Sequence, residues 1–452
     1  MKYCLLMLLP ALLIAGCSKK RAGGRELSDW VQVLKTSSDP AELKQAADAV
    51  GSLGPDAKNA ASHIMVMLGN DIAASRGLSE QQMTELRAAL RDALRKIGPD
   101  VAEDVVRMLA SRPQIPPDIA QSLDPAGVPI LVKALAEHPK LPTRVAIARF
   151  LGDMRQNATA ATPALLEAAK TPGPDHSPLR AAAISALSHI HGDAKTIGPS
   201  LIQALDDPDP VVRVAAIEGL SRVRADASQV GPRLIRKLEN DPSVAKISAQ
   251  TLATYGRDAS SAAPALLGYL RRASTPPLAP RNPHQPPPKP TLDNEDSLAA
   301  LNALHRLGQF SQIDPPLLAQ IMEHRIPDLA AEATKTLIAL GPQASSALPA
   351  LINQIGTGSA IHLRPRRQEV FVAIGKPAVA PLMSLLDHGT VDEHSGAMDT
   401  GENVRRETVN ILAALGPQAA QALPKLKEMT TEDTYRSVRE AAAAAVHKIE
   451  PQ

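Results

Sequence analysis

The chain predicts an all-α fold, an α-solenoid of about eleven stacked antiparallel helix pairs, and three observations carry that prediction. A proline with a leucine close behind it recurs at Pro129, Pro163, Pro199, Pro232, Pro264, Pro316, Pro349, Pro381 and Pro424. The intervals run from 32 to 36 residues, with two longer ones that contain insertions of roughly 20 and 10 residues. A period of this length marks stacked supersecondary units, and each unit here reads as two helices. Many units also end in a glycine turn: Leu53-Gly54-Pro55, Ile97-Gly98-Pro99, Leu340-Gly341-Pro342, Leu415-Gly416-Pro417 and the looser Ile374-Gly375-Lys376-Pro377. Glycine takes the left-handed conformation that closes a helix, and proline soon after it prevents continuation.

Residues 197 to 228 show one unit clearly. Pro199 suits a first helical turn, where its missing N–H is no loss, and Leu201, Ile202 and Leu205 make an apolar stripe at helical spacing. Asp206-Asp207-Pro208-Asp209-Pro210 stops that helix, and Asp209 before Pro210 supplies an N-cap and first position for a second one. The second helix runs from Val211 to Val223. Val212, Leu220 and Val223 give it bulk, while Ala215, Ala216 and Gly219 let neighbouring helices approach closely. The next unit repeats the pattern, pairing Leu201 with Leu234, Leu220 with Leu252 and Ala227 with Ala259.

With the proline–leucine opening and the Asp-Pro turn goes a third mark, a Val-Arg pair at the start of the second helix: Val212-Arg213, Val404-Arg405 and Val438-Arg439, with Leu179-Arg180 and Thr143-Arg144 as variants. On these residues the chain resembles the HEAT-repeat family, in particular the HEAT-like repeats of phycobilin lyases. The resemblance implies a HEAT-like, ARM-like superhelix over residues 27–452, with a concave face lined by second helices. Family members serve as scaffolds, adaptors and occasionally enzymes, so the fold leaves the function open. Ala245 and Ala330 stand where the arginine belongs. The arginines themselves, Arg144, Arg180, Arg213, Arg405 and Arg439, read as a structural ladder bonding turn carbonyls and aspartates such as Asp207.

The first sixteen residues stand apart from the repeats. Lys2, an apolar run from Tyr3 to Ala15 and the sequence Leu13-Ile14-Ala15-Gly16-Cys17 read as a signal peptide ending in a lipobox. As a helix the run spans only about 20 Å, short of the roughly 30 Å hydrocarbon core. Resemblance to bacterial lipoproteins implies cleavage between Gly16 and Cys17, acylation of Cys17 and a lipidated tether over residues 17–26. Ser18 in place of an aspartate implies the outer membrane, facing the periplasm, in preference to the inner one.

Composition narrows the chemistry. There are only two cysteines, and Cys4 departs with the signal, so no disulfide, thiol nucleophile or cysteine zinc site is expected. A formal net charge of +2 gives no nucleic-acid footprint. Aromatic residues at 2% leave no stacking platform for sugars. Gly-x-Ser-x-Gly, His-Glu-x-x-His and phosphate-loop motifs are missing from the sequence, so no catalytic residues and no cofactor are assigned.

Four segments remain as candidates. Eight prolines between Thr275 and Pro290, in an insertion over 275–295, enforce extended chain, either a docking strand or a spacer. An acidic insertion over 388–403 carries His388, Asp392, Glu393, His394, Asp399 and Glu402, read as a solvated loop or a divalent-metal site without regular ligand spacing. His189 and His191 lie two apart, on different faces of a helix, which argues against a shared ion. His362, Arg364, Arg366 and Arg367 crowd a connection between helices, one unit before Arg405 and Arg406. They read as a basic ridge that binds a partner or neutralises the acidic insertion. The expected function is a lipid-anchored, non-enzymatic envelope scaffold that binds protein partners. The alternatives are a lyase-like enzyme and a polyanion or metal binder through residues 362–406.

Overall fold

The computed structural model describes residues 21–69, 76–112, 114–190, 194–274, 294–322, 327–355, 364–387 and 400–450. The signal peptide, Gly16 and Cys17, the prolines of the first insertion, residues 388–399 of the second, His191 and His362 lie outside them.

The contacts divide the chain into two compact units meeting at Val223 and Arg224. The first holds α1 (Leu27–Thr36), α2 (Pro40–Ser52), α3 (Ala61–Gly69), α4 (Glu80–Ile97), α5 (Val101–Ser111), α6 (Pro117–Ser122), α7 (Val128–Glu137), α8 (Leu141–Asp153), α9 (Thr162–Ala168), α10 (Ser177–His189), α11 (Ala194–Ala204) and α12 (Pro210–Val223). The second holds α13 (Ala227–Asn240), α14 (Ala245–Tyr255), α15 (Ala263–Ser274), α16 (Asn294–Arg306), α17 (Pro315–Met322), α18 (Pro327–Leu340), α19 (Leu348–Asn353), α20 (Arg364–Ile374), α21 (Val379–Asp387), α22 (Thr400–Leu415), α23 (Leu423–Glu432) and α24 (Arg436–Ile449). Odd-numbered helices are the first members of pairs and even-numbered helices the second. Among the described residues the helices make twelve pairs, close to the eleven or so that the period predicts, with α6 and α19 short at 6 residues each.

Within the first unit the second helices form a row, α2 against α4, then α6, α8, α10 and α12. The second unit repeats this from α14 through α16, α18, α20 and α22 to α24. Of the positions read from the sequence, Val212, Ala216 and Leu220 are fully inaccessible and Gly219 is buried, whereas Ala215 and Val223 are half-buried; Ile217 joins the buried face, and Glu218 is exposed. Small residues do permit close approach. A Cβ added to Gly152 on α8 would sit 2.9 Å from the Ala186 Cα on α10, and one on Gly51 of α2 would sit 3.1 Å from the Ala93 Cα on α4.

Five of the links between pairs are built alike. Residues Gly54–Ala60, Arg155–Ala161, Gly256–Ala262, Gly341–Ala347 and Gly416–Ala422 form seven-residue segments of 3₁₀ turn. Their first residues have φ between 53° and 58°, and their fourth and seventh residues are alanines, all buried. Four open on glycine because that φ strains any other residue; Arg155 accepts the strain. After four of these links the marker proline falls within the first two residues of the helix, at Pro163, Pro264, Pro349 and Pro424. Pro199 and Pro232 differ. Both lie inside their helices, as the sixth residues of α11 and α13, which run from Ala194 and Ala227.

Residues 21–26, the described part of the expected tether, form a hairpin. Arg21–Ala22 pairs antiparallel with Arg25–Glu26 around Gly23 and Gly24. Trp30 locks this hairpin to α1, its Nε1 donating to the Ala22 carbonyl at 2.9 Å while the Arg25 guanidinium lies 4.9 Å from its ring centroid.

Candidate binding surface

The arginines that open second helices act as clasps. Arg180 places Nε 2.7 Å and Nη2 2.9 Å from the two carboxylate oxygens of Asp207, in the turn of the following pair, while Nη1 donates to the carbonyls of Thr171 and Gly173. Asp207 also accepts the Asp209 N–H, and Arg213 bonds the carbonyls of Asp207 and Pro208. The same set recurs in the second unit: Arg405 on Asp433, the Tyr435 N–H on Asp433, and Arg439 on the carbonyls of Asp433 and Thr434. Arg144 joins through the Leu135 carbonyl alone. Burial pushes the Asp207 carboxyl up, but the Arg180 and Asp209 hydrogen bonds and the guanidinium charge outweigh it and hold the group below the usual carboxylate range.

Arg364, Arg366 and Arg367 do not lie on a connection: they open α20. Arg367 is fully inaccessible and donates through Nε and Nη2 to Glu407 Oε1 on α22, at 3.2 and 2.8 Å. It is thus a ladder arginine whose acceptor is a helix residue in place of a turn aspartate. Arg364 Nε sits 3.2 Å from Glu407 Oε2, and Arg366 is half-buried. Arg405 is committed to Asp433, and Arg406 reaches Asn403 Oδ1 at 2.7 Å and Glu402 at 3.8 Å. Glu402 itself belongs to the first turn of α22, where it accepts from Ser437 of α24. The five arginines therefore do not form one free ridge; Arg364, Arg366 and Arg367 form one group and Arg405 belongs to a clasp. The missed signal was register: Pro365-Arg366-Arg367 matches Pro178-Leu179-Arg180.

The row in the first unit holds a trough of about 400 Å³ across α8, α10 and α12. Gly152, Ala182, Ala186 and Ala215 line it together with Arg149, Asp153, His189, Glu218 and Val211. Burial raises the Asp153 carboxyl above its ordinary range, against the pull of His189 and Arg155. His189 makes a ring-nitrogen hydrogen bond to the Ser185 carbonyl. Val211 is 61% exposed here, and Ile338 and Val372 stand out on the second helices of the other unit. Among the described residues no group of three or more His, Cys, Asp or Glu is placed to hold a metal ion, and no single helix is long and apolar enough to cross a membrane.

Paired helices in register, with second helices aligned in rows and arginine clasps between turns, define a protein of the α-helical repeat class. Residues 198–278 match the family model described as HEAT repeats. Among solved structures the chain is similar to importin β, at 15% identity and a TM-score of 0.45 over 92% of this chain and 60% of that one. It is also similar to Kap121p, at 14% identity and a TM-score of 0.33 over 94% and 57%, and to SYS-1 in complex with POP-1, at 12% and 0.37 over 94% and 99%. The chain thus spans about 60% of the importin β chain it matches. No curated protein sequence matches it.

Proposed function

We propose that the protein is a non-enzymatic scaffold or adaptor that is lipid-anchored at Cys17 in the cell envelope and binds protein partners along its rows of second helices. The observation that supports this most is the row itself, in which the exposed Val211 stands with Arg149, Asp153 and Glu218 around a trough floored by small residues. Such a surface suits extended contact with another chain better than it suits a small substrate. The lipobox supports the anchor. Only Ser18, Lys19 and Lys20 separate Cys17 from the Arg21–Glu26 hairpin, a reach of about 10 Å at full extension, which would hold α1 close to the bilayer.

Crosslinking in intact envelopes tests the scaffold reading: defined proteins should be captured, and Val211→Asp should reduce their yield. Capture of no protein at all would refute it. Cys17→Ser should abolish acylation and release the chain from the membrane fraction. Membrane association that survives this change, with normal processing, would refute the anchor.

A further inference from the structure

We infer that the first turn of α20 is a carboxylate-binding subsite that takes an aspartate or glutamate side chain of a protein partner. The inference rests on the scaffold reading and deepens it. Arg364, Arg366 and Arg367 stand on one turn, and among the described residues a single carboxylate, Glu407, faces two of them. That carboxylate is itself only 7% exposed, and Glu369, exposed two residues beyond Arg367, forms no ion pair among the described residues. Among the described residues the positive charge therefore exceeds the negative charge around a group that has lost its water. A buried guanidinium ordinarily has every donor occupied. Arg367 has not: its Nη1 is buried and has no hydrogen-bond partner, and Arg364 Nε, although near Glu407, lacks the alignment of a hydrogen bond. Both atoms are out of a partner's reach and mark uncompensated charge, so the contact itself falls to the half-buried Arg364 and Arg366.

Arg366 adds an independent sign. Its register position is that of Leu179, Val212 and Val438, all fully inaccessible in their own pairs. Here the chain places a half-buried cation that makes no hydrogen bond or ion pair among the described residues. Helical N–H groups and the helix dipole at the start of α20 favour a negative charge at the same place. The planar fork of a guanidinium matches a carboxylate in two parallel hydrogen bonds. A protein side chain fits better than a free anion because Val372 on α20 and Ile338 on the neighbouring α18 are 37% and 38% exposed, offering apolar contact to the residues flanking the acid.

The test uses the full chain and two labelled ten-residue peptides, one with two glutamates among leucines and one with glutamines in their place. Inorganic phosphate is added as a competitor. The glutamate peptide should bind at least about tenfold more tightly than the glutamine peptide, the factor expected for a hydrogen bond to a charged group. Arg364→Gln and Arg366→Gln should each weaken it about tenfold, with thermal melting unchanged to show that both variants fold. Equal binding of the two peptides, no binding of either at millimolar concentration, or variants that bind like wild type would overturn the inference. Displacement by micromolar phosphate would also overturn it, by assigning the site to a free oxyanion. So would binding that appears only after Asp392, Glu393 and Asp399 are changed to amides, since the chain's own carboxylates would then be the occupant. Failure here with envelope crosslinks intact would remove the subsite and leave the scaffold standing.

Discussion

Replacing Asp207 by asparagine isolates what a clasp contributes. The substitution keeps the side chain's size and its bond from the Asp209 N–H, but it leaves Arg180, 7% exposed at its side chain, without a counter-charge. Breaking a buried ion pair from one side costs about 3–5 kcal/mol. The cost here should be lower, because a cavity of about 600 Å³ is lined by both Arg180 and Asp207 and gives water a route to the orphaned guanidinium. About 2–3 kcal/mol is the expected loss, or roughly 4–12 °C in Tm for a unit of this size. Loss of protection should concentrate in α11 and α12, since each pair leans chiefly on its neighbours. Thermal melting and hydrogen exchange measure both quantities. The pH dependence follows the same pair. The folded Asp207 carboxyl lies below its unfolded value, so the stabilisation is complete above the unfolded value of about 4 and is lost as pH falls through the lower, folded one. The gap between wild type and Asp207→Asn should therefore begin to narrow as pH falls below about 4 and close only below the folded value. A variant that melted within a degree of wild type at pH 7, or a gap unchanged in acid, would refute the clasp as a stabilising device.

Leu220→Asp should cost about 5 kcal/mol, the sum of a lost apolar contact and an unpaired buried carboxylate, while Glu218→Asp on the exposed side should stay within about 0.5 kcal/mol; similar urea midpoints for the two would mean that the buried face is misassigned. At the links between pairs, Gly416→Ala should lose about 1 kcal/mol by forcing a side chain into φ 58°. Arg155→Gly should gain up to about 1 kcal/mol by relieving the same conformation. No loss for Gly416→Ala and no gain for Arg155→Gly in denaturant titrations would show that the left-handed residue does not set the link.

Helix pairing was readable because it repeats: Pro-x-Leu, Asp-Pro and Val-Arg mark the same structural positions several times over, so Leu220 and Leu252 could be placed on the core face from register alone. Arg180 and Arg213 were legible as ladder residues for the same reason. Arg367 was not, because local charge density drew Arg364, Arg366 and Arg367 into one exposed ridge, while their register with Ser177-Pro178-Leu179-Arg180 placed the last of them in the core. The early starts of α11 and α13 were not legible, because Pro-x-Leu reads the same whether the proline is the second residue of its helix, as Pro163 is, or the sixth, as Pro199 and Pro232 are. The trough at Asp153 and His189 is assembled from three helices far apart in sequence, and no local pattern announces such a meeting. The Arg21–Glu26 hairpin depends on one tertiary bond to Trp30, which composition alone could not reveal.

The recurring seven-residue links have a consequence for how such a chain can grow. Each begins on the same left-handed residue and buries alanines at the same two places, so a cut at one link and a join at another preserves the phase of every helix that follows. Recombination between the gene segments encoding Gly256–Ala262, Gly341–Ala347 and Gly416–Ala422 would add or remove whole helix pairs with no junction to repair. Among the described residues the turns inside pairs carry no such uniform segment, and it is between the helices of a pair that the sequence has accepted its long proline-rich and acidic additions. Modular lengthening and local elaboration are thereby assigned to different kinds of connection.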